Sequence, residues 1–120
     1  MSPRSLLALH RAILDLRAKS RKVAQLETLT AEFDSLIGDL EQEIRTEEDR
    51  ARIHDPSHFT YPTYARAAST RRNKLVLSRD ALLAQLPGAK EAMTAASERL
   101  AELREQKPES STSENARIAT

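Results

Sequence analysis

Cysteine and tryptophan are absent from the 120 residues, glycine occurs twice, and aromatic residues make up 3%. Without cysteine there is neither a disulfide framework nor a thiolate metal site. Two glycines do not make a phosphate-cradling loop, and neither shows the P-loop spacing. So few glycines and rings also exclude a sandwich or barrel, which needs many turns and a thick core. No apolar run approaches the roughly 18 residues of a membrane span. Met1-Ser2-Pro3-Arg4 is followed by spaced rather than continuous leucines, unlike a secretion leader. Lys and Arg number 19 against 18 Asp and Glu, a net charge of +1. The chain as a whole therefore has no pull toward nucleic acid or an anionic membrane. These absences suit a soluble, cytoplasmic, all-α protein.

What is present is charge, 31% of residues, together with abundant Ala, Leu, Glu, Arg and Lys. That composition suits long helices and coiled coils. Ser2 and Pro3 make a favourable helix start, a hydroxyl cap followed by a proline in the first helical position. Apolar positions then run Leu6, Leu9, Ile13, Leu16, Ser20 and Val23 in alternating steps of three and four. One step shortens after Val23, and the pattern resumes as Leu26, Thr30, Phe33, Ile37, Leu40 and Ile44. A seam of this period is a coiled-coil signal, and the shortened step is a stammer. Pro56 disfavours α conformation in the residue before it, which sets the predicted first helix at 3–54 and a loop at 55–61.

A second helix is predicted over 62–107, with its seam at Tyr64, Ala68, Arg71, Leu75, Ser78 and Leu82. The seam is read as shifting by one position to Leu86, Ala89, Met93, Ala96, Leu100 and Leu103. Pro87-Gly88 lies at that shift and predicts a kink or short break, since both residues are unfavourable inside a helix. The Ser/Thr-rich residues 108–120 read as a disordered tail. Folding the two helices back antiparallel brings Leu40 to Leu75, Phe33 to Leu82 and Leu26 to Ala89. Beyond the proline, Val23 meets Met93, Leu16 meets Leu100 and Ile13 meets Leu103. Charge agrees: residues 25–50 hold nine acids against two arginines, whereas 63–79 hold five cations and no acid. Glu43 with Arg72 and Glu41 with Lys74 are the expected pairs, important more for register than for stability.

Catalytic chemistry finds little support. His54 and His58 have a His-x-x-x-His spacing, but Pro56 interrupts the helix that a metal pair would require, so no metal and no cofactor is expected. The serines lack a His/Asp constellation, and the carboxylates lie on helix surfaces, so a non-enzymatic role is expected. Residues 4–24 carry six basic residues against Asp15, among them Arg11, Arg17, Arg21 and Lys22. No aromatic interleaves them as a stacking platform for nucleic acid. Leu7 with Leu14, and Val76 with Leu83, are heptad-spaced pairs outside the seam and form possible partner stripes. Phe59, Tyr61 and Tyr64 cluster at the connection, where ring side chains suit a protein contact.

The connection carries a resemblance. Asp55-Pro-Ser-His-Phe-Thr-Tyr-Pro-Thr-Tyr-Ala65, followed by Ala67-Ala68 and Arg71-Arg72, resembles the alphaproteobacterial branch of the flagellar export protein FliJ family. The acidic run Ala31–Asp34 through Asp39–Ile44 and the segment Arg21–Gln25 fit the same branch. The likeness covers about residues 5–105, and its loop run is its specific part. It implies a stalk-like component of the type III export apparatus, peripheral at the cytoplasmic face of the flagellar basal body and serving flagellum assembly and motility. Implied partners are the hexameric export ATPase, the membrane export gate and export chaperones. On this resemblance Arg11, Arg17, Arg21 and Lys22 face the ATPase ring, and Phe59, Tyr61 and Tyr64 face the gate. Pro87-Gly88 and the early polar tail depart from what the family leads one to expect. The rival readings are a generic coiled-coil adaptor or chaperone and, third, a nucleic-acid-associated helical protein.

Overall fold

The computed structural model describes the backbone of residues 2–119 and the side chains of residues 2–106. The chain is all-α: α1 spans Pro3–Ala51 and α2 spans Thr63–Ala119. The tail expected over 108–120 lies outside the described side chains. The helices divide into two units, residues 1–25 with 86–120, and residues 26–85.

α1 begins as its sequence dictates. The Ser5 amide donates to Ser2 Oγ at 3.1 Å, and the Leu6 amide to the Ser2 carbonyl at 3.1 Å. Ser2 is therefore the cap and Pro3 the first helical residue, where its missing N–H would be unsatisfied anyway. The other end is a correction. α1 stops at Ala51 rather than at residue 54, because Arg52 adopts a left-handed φ of 56°. The Ile53 amide reaches back to the Glu48 carbonyl (3.2 Å) and the Arg52 amide to the Asp49 carbonyl (3.3 Å). This is a Schellman closure with arginine where glycine is usual. Half-buried Ile53 packs on the apolar cluster below it, completing the motif.

In the unit of residues 26–85, α1 and α2 form a hairpin around Leu40, Ile44, Tyr61, Ala65 and Ala68, with Leu75 against them. Ala65 is wholly buried. Alanines on this face let the two backbones approach closely. Leu26 and Ile37 are buried and Phe33 and Leu82 half-buried, as expected of the seam. In the unit of residues 1–25 and 86–120, Ala12, Val23, Ala96 and Leu100 are buried. Leu9, Ile13, Leu16, Met93 and Leu103 are half-buried around them, while Leu6, read as a seam residue, is 54% exposed.

The seam of α2 requires a second correction. Tyr64, Arg71 and Ser78 are exposed, and the inward positions are Ala65, Ala68, Arg72, Leu75, Arg79 and Leu82. These continue without a shift into Leu86, Ala89, Met93, Ala96, Leu100 and Leu103. The heptad of α2 is thus unbroken. Two of its seam positions are half-buried arginines, whose aliphatic stems cover apolar surface while the guanidiniums reach out. α2 is also continuous in helix through Pro87–Gly88, with no break. An interior proline removes one N–H from the ladder and crowds the carbonyl four residues back, yet the helix runs on through it. The stammer of α1, by contrast, is present: Ser20, Val23 and Leu26 turn inward at two successive steps of three before the step of four to Thr30.

Candidate functional site

The four basic residues singled out in α1 are all exposed. The seam residues Leu9, Ile13, Leu16 and Val23 occupy the inward side of this helix, so Arg11, Arg17, Arg21 and Lys22 spread over its outward half. None of them forms an ion pair among the described residues. Lys19 does, with Asp15 at 3.5 Å, which neutralises the one acid of the segment. The result is a group of exposed cations on the outward half of α1, without an ion pair among the described residues.

At the connection, two turns follow each other. The His58 amide donates to the Asp55 carbonyl and the Tyr61 amide to the His58 carbonyl, both at 3.0 Å. Asp55 Oδ1 accepts from the Ser57 amide (2.9 Å) and hydroxyl (2.7 Å). The bond from the Ser57 amide, more than any other influence, holds the Asp55 carboxyl below its ordinary pKa. His58 Nδ1 accepts the Thr60 amide at 3.1 Å, which places the ring proton on Nε2. His54, rather than joining His58, meets Asp49 at 2.9 Å. Among the described residues no group of three or more His, Asp or Glu side chains is placed to hold a metal ion.

The three rings have three different environments. Phe59 is 91% exposed and stacks on the His58 imidazole, with centroids 4.9 Å apart. Tyr64 is exposed and donates its hydroxyl to Glu43 Oε2 at 3.1 Å, which raises its pKa. Tyr61 corrects the expectation of a contact residue. It is 6% exposed, part of the core, and its hydroxyl donates to Glu48 Oε2 at 2.8 Å. Burial first, and the Glu48 bond second, push the Tyr61 phenol up. Arg66 sits over the Tyr61 ring, 5.3 Å from its centroid, and donates to the Pro56 carbonyl at 3.0 Å. One arginine thus ties the loop to the start of α2. Nothing in the residue pattern marked Arg66 or Glu48 for these roles, because they depend on the turn that Arg52 creates.

The expected pairs Glu43–Arg72 and Glu41–Lys74 do not form. Glu43 accepts from Tyr64, and Arg72 donates to its neighbour Asn73. The displaced α2 seam brings Arg79 inward instead, 3.0 Å from Asp34 across the hairpin and 3.3 Å from Asp80. Gln42, Glu43, Thr46, Glu47, Arg50 and Tyr64 line a shallow, open depression beside the connection. Among the described residues no helix is long and apolar enough to cross a membrane.

No family model, no curated protein and no solved structure matches the chain.

Proposed function

We propose that this protein is a non-enzymatic stalk of a flagellar type III export apparatus, peripheral at the cytoplasmic face of the basal body. In this role it contacts the export ATPase through α1 and the export gate through the interhelical turn. The observation that supports it best is the chemistry of the two units taken separately. One carries Arg11, Arg17, Arg21 and Lys22 exposed and without ion pairs among the described residues. The other presents Phe59, almost fully exposed, on a turn fixed by Asp55, His58 and Arg66. Free cations suit an acidic ring interior, and an exposed ring suits an apolar pocket. The loop run Asp55–Ala65 adds its family resemblance. Buried Tyr61 leaves the contact set, and Phe59 with Tyr64 remain. Export chaperones are further partners implied by the same resemblance.

Immobilised full-length chain, exposed to a lysate of flagellated cells, is expected to recover a hexameric ATPase and to raise its turnover. The triple charge reversal Arg11→Glu, Arg17→Glu and Arg21→Glu is expected to abolish recovery. Retention of the ATPase by that variant overturns the ring contact. Phe59→Ala is expected to weaken capture of the export gate while leaving the ATPase bound.

A further inference from the structure

The outward side of α1 over residues 4–22 carries apolar residues that the reading above does not use. Leu7 and Leu14 lie one heptad apart and are 48% and 47% exposed. Ala18, also exposed, follows close to the same line. At about 100° of rotation per residue this line runs opposite the seam of Leu9, Ile13, Leu16 and Val23. Arg4, Arg11 and Lys22 border it on one side, Arg17 and Arg21 on the other, all exposed. Leu6, at 54%, widens the apolar strip beside Arg17. The nearby acid, Asp15, is held by Lys19. Between Arg4 and Lys22 this face contains no Asn, Gln, Ser or Thr.

Each element of that pattern restricts the ligand. Cations on both sides of a leucine line require a surface that is negative over a wide area and apolar just beneath. Exposed His10, between Arg21 and Arg17, is the one neutral hydrogen-bonding side chain on this face, which leaves it little with which to read a partner's polar groups one by one. Nucleic acid would use the cations but leave the leucines in water, and there are no rings for its bases. An anionic bilayer satisfies both. Leucines sink to the acyl boundary, the aliphatic stems of arginine and lysine lie along it, and their charges stay at phosphate depth. We propose that the outward face of residues 4–22 lies on an anionic lipid surface, parallel to it and without crossing it. The cations are the same ones assigned to the ATPase, so lipid and ring compete for one face. The inference itself rests on the leucines and stands apart from that assignment.

The probe is a sedimentable vesicle of phosphatidylcholine with or without about 30% phosphatidylserine, which gives the negative surface potential that basic segments sense. Full-length chain is expected to pellet with the anionic vesicles at ~0.1 M salt and to be released at ~1 M, where screening is strong. Binding to phosphatidylcholine alone is expected to be at least about tenfold weaker, one unpaired charge supplying a severalfold gain at such a surface. Leu7→Gln with Leu14→Gln is expected to lower partitioning about tenfold through lost apolar burial, with the helical melting curve unchanged because both residues are exposed. Equal binding to neutral vesicles overturns the proposal, as does a double leucine variant that pellets like the parent. Tighter binding to a DNA duplex than to anionic vesicles overturns it in favour of nucleic acid. A chain that ignores vesicles but retains the ATPase defeats this inference alone. One that binds vesicles and recovers no ATPase defeats the stalk assignment alone.

Discussion

Arg52, at φ 56°, holds a conformation in which its β-carbon crowds the following carbonyl. Glycine lacks that atom, so Arg52→Gly is expected to stabilise the fold by roughly 0.5–1 kcal/mol, part of the gain being offset by a freer unfolded chain. Urea denaturation reads this as a raised midpoint with unchanged slope. Tyr61 is the opposite case, a residue already in its best place. Removing its hydroxyl from Glu48, in Tyr61→Phe, is expected to lose about 1 kcal/mol. The pH dependence follows from the same bond. The fold prefers the neutral phenol, so its folded pKa lies above the ordinary value near 10. That stabilisation is full below about pH 10 and disappears as pH rises through the folded pKa. Alkaline melting curves of Tyr61→Phe are expected to show a shallower loss than the parent.

At the scale of the helix, α1 was legible almost residue by residue and α2 was not, for identifiable reasons. The α1 seam is written mostly in leucine, isoleucine and valine, and its stammer shows as the two successive steps of three from Ser20 through Val23 to Leu26. In α2 the inward positions near the turn are Ala65 and Ala68, then Arg72 and Arg79, none of which advertises a core. Starting the count from the conspicuous Tyr64 misplaces every second position, Tyr64, Arg71 and Ser78 for Ala65, Arg72 and Arg79, while Ala68, Leu75 and Leu82 are read correctly. The end of α1 was illegible for a related reason. Pro56 is a visible stop signal, but the helix turns earlier at an arginine whose conformation no residue type announces.

The candidate contacts divide in the same way. Cations free of partners can be read from charge spacing, whereas the burial of Tyr61 depends on a turn that cannot. Gly38 and Gly88 sit inside helices with open space where a β-carbon would stand. Gly38→Ala and Gly88→Ala are each expected to stabilise by roughly 0.5–1 kcal/mol, measured by thermal or urea unfolding. Of the two seam arginines, Arg79 reaches across the hairpin to Asp34, while Arg72 bonds its neighbour Asn73. Replacing Arg72 and Arg79 together by leucine is expected to raise the melting temperature but to loosen partner choice, seen as higher-mass species in sedimentation.

For the molecule as a whole, the two-helix hairpin predicts a solution mass of 13.4 kDa, a single chain closing on itself. A tight dimer with helices paired between chains would contradict it. The turn at Arg52–Pro62 also sets an order of events during folding. Contacts nearest it join residues only 13 apart in sequence (Tyr61 with Glu48) and 21 apart (Tyr64 with Glu43), while Arg79 and Asp34 are separated by 45. Closing the shorter loops costs less entropy, so within residues 26–85 the hairpin is expected to zip outward from its turn. On a ribosome, α1 emerges first and waits with its seam uncovered until Ala65 and Ala68 appear. A nucleus at Ile44, Tyr61 and Ala65 is expected to commit the register before the more distant pairs of the hairpin close. Folding-rate measurements on Tyr61→Phe are expected to show slower folding, and those on Leu100→Ala mainly faster unfolding.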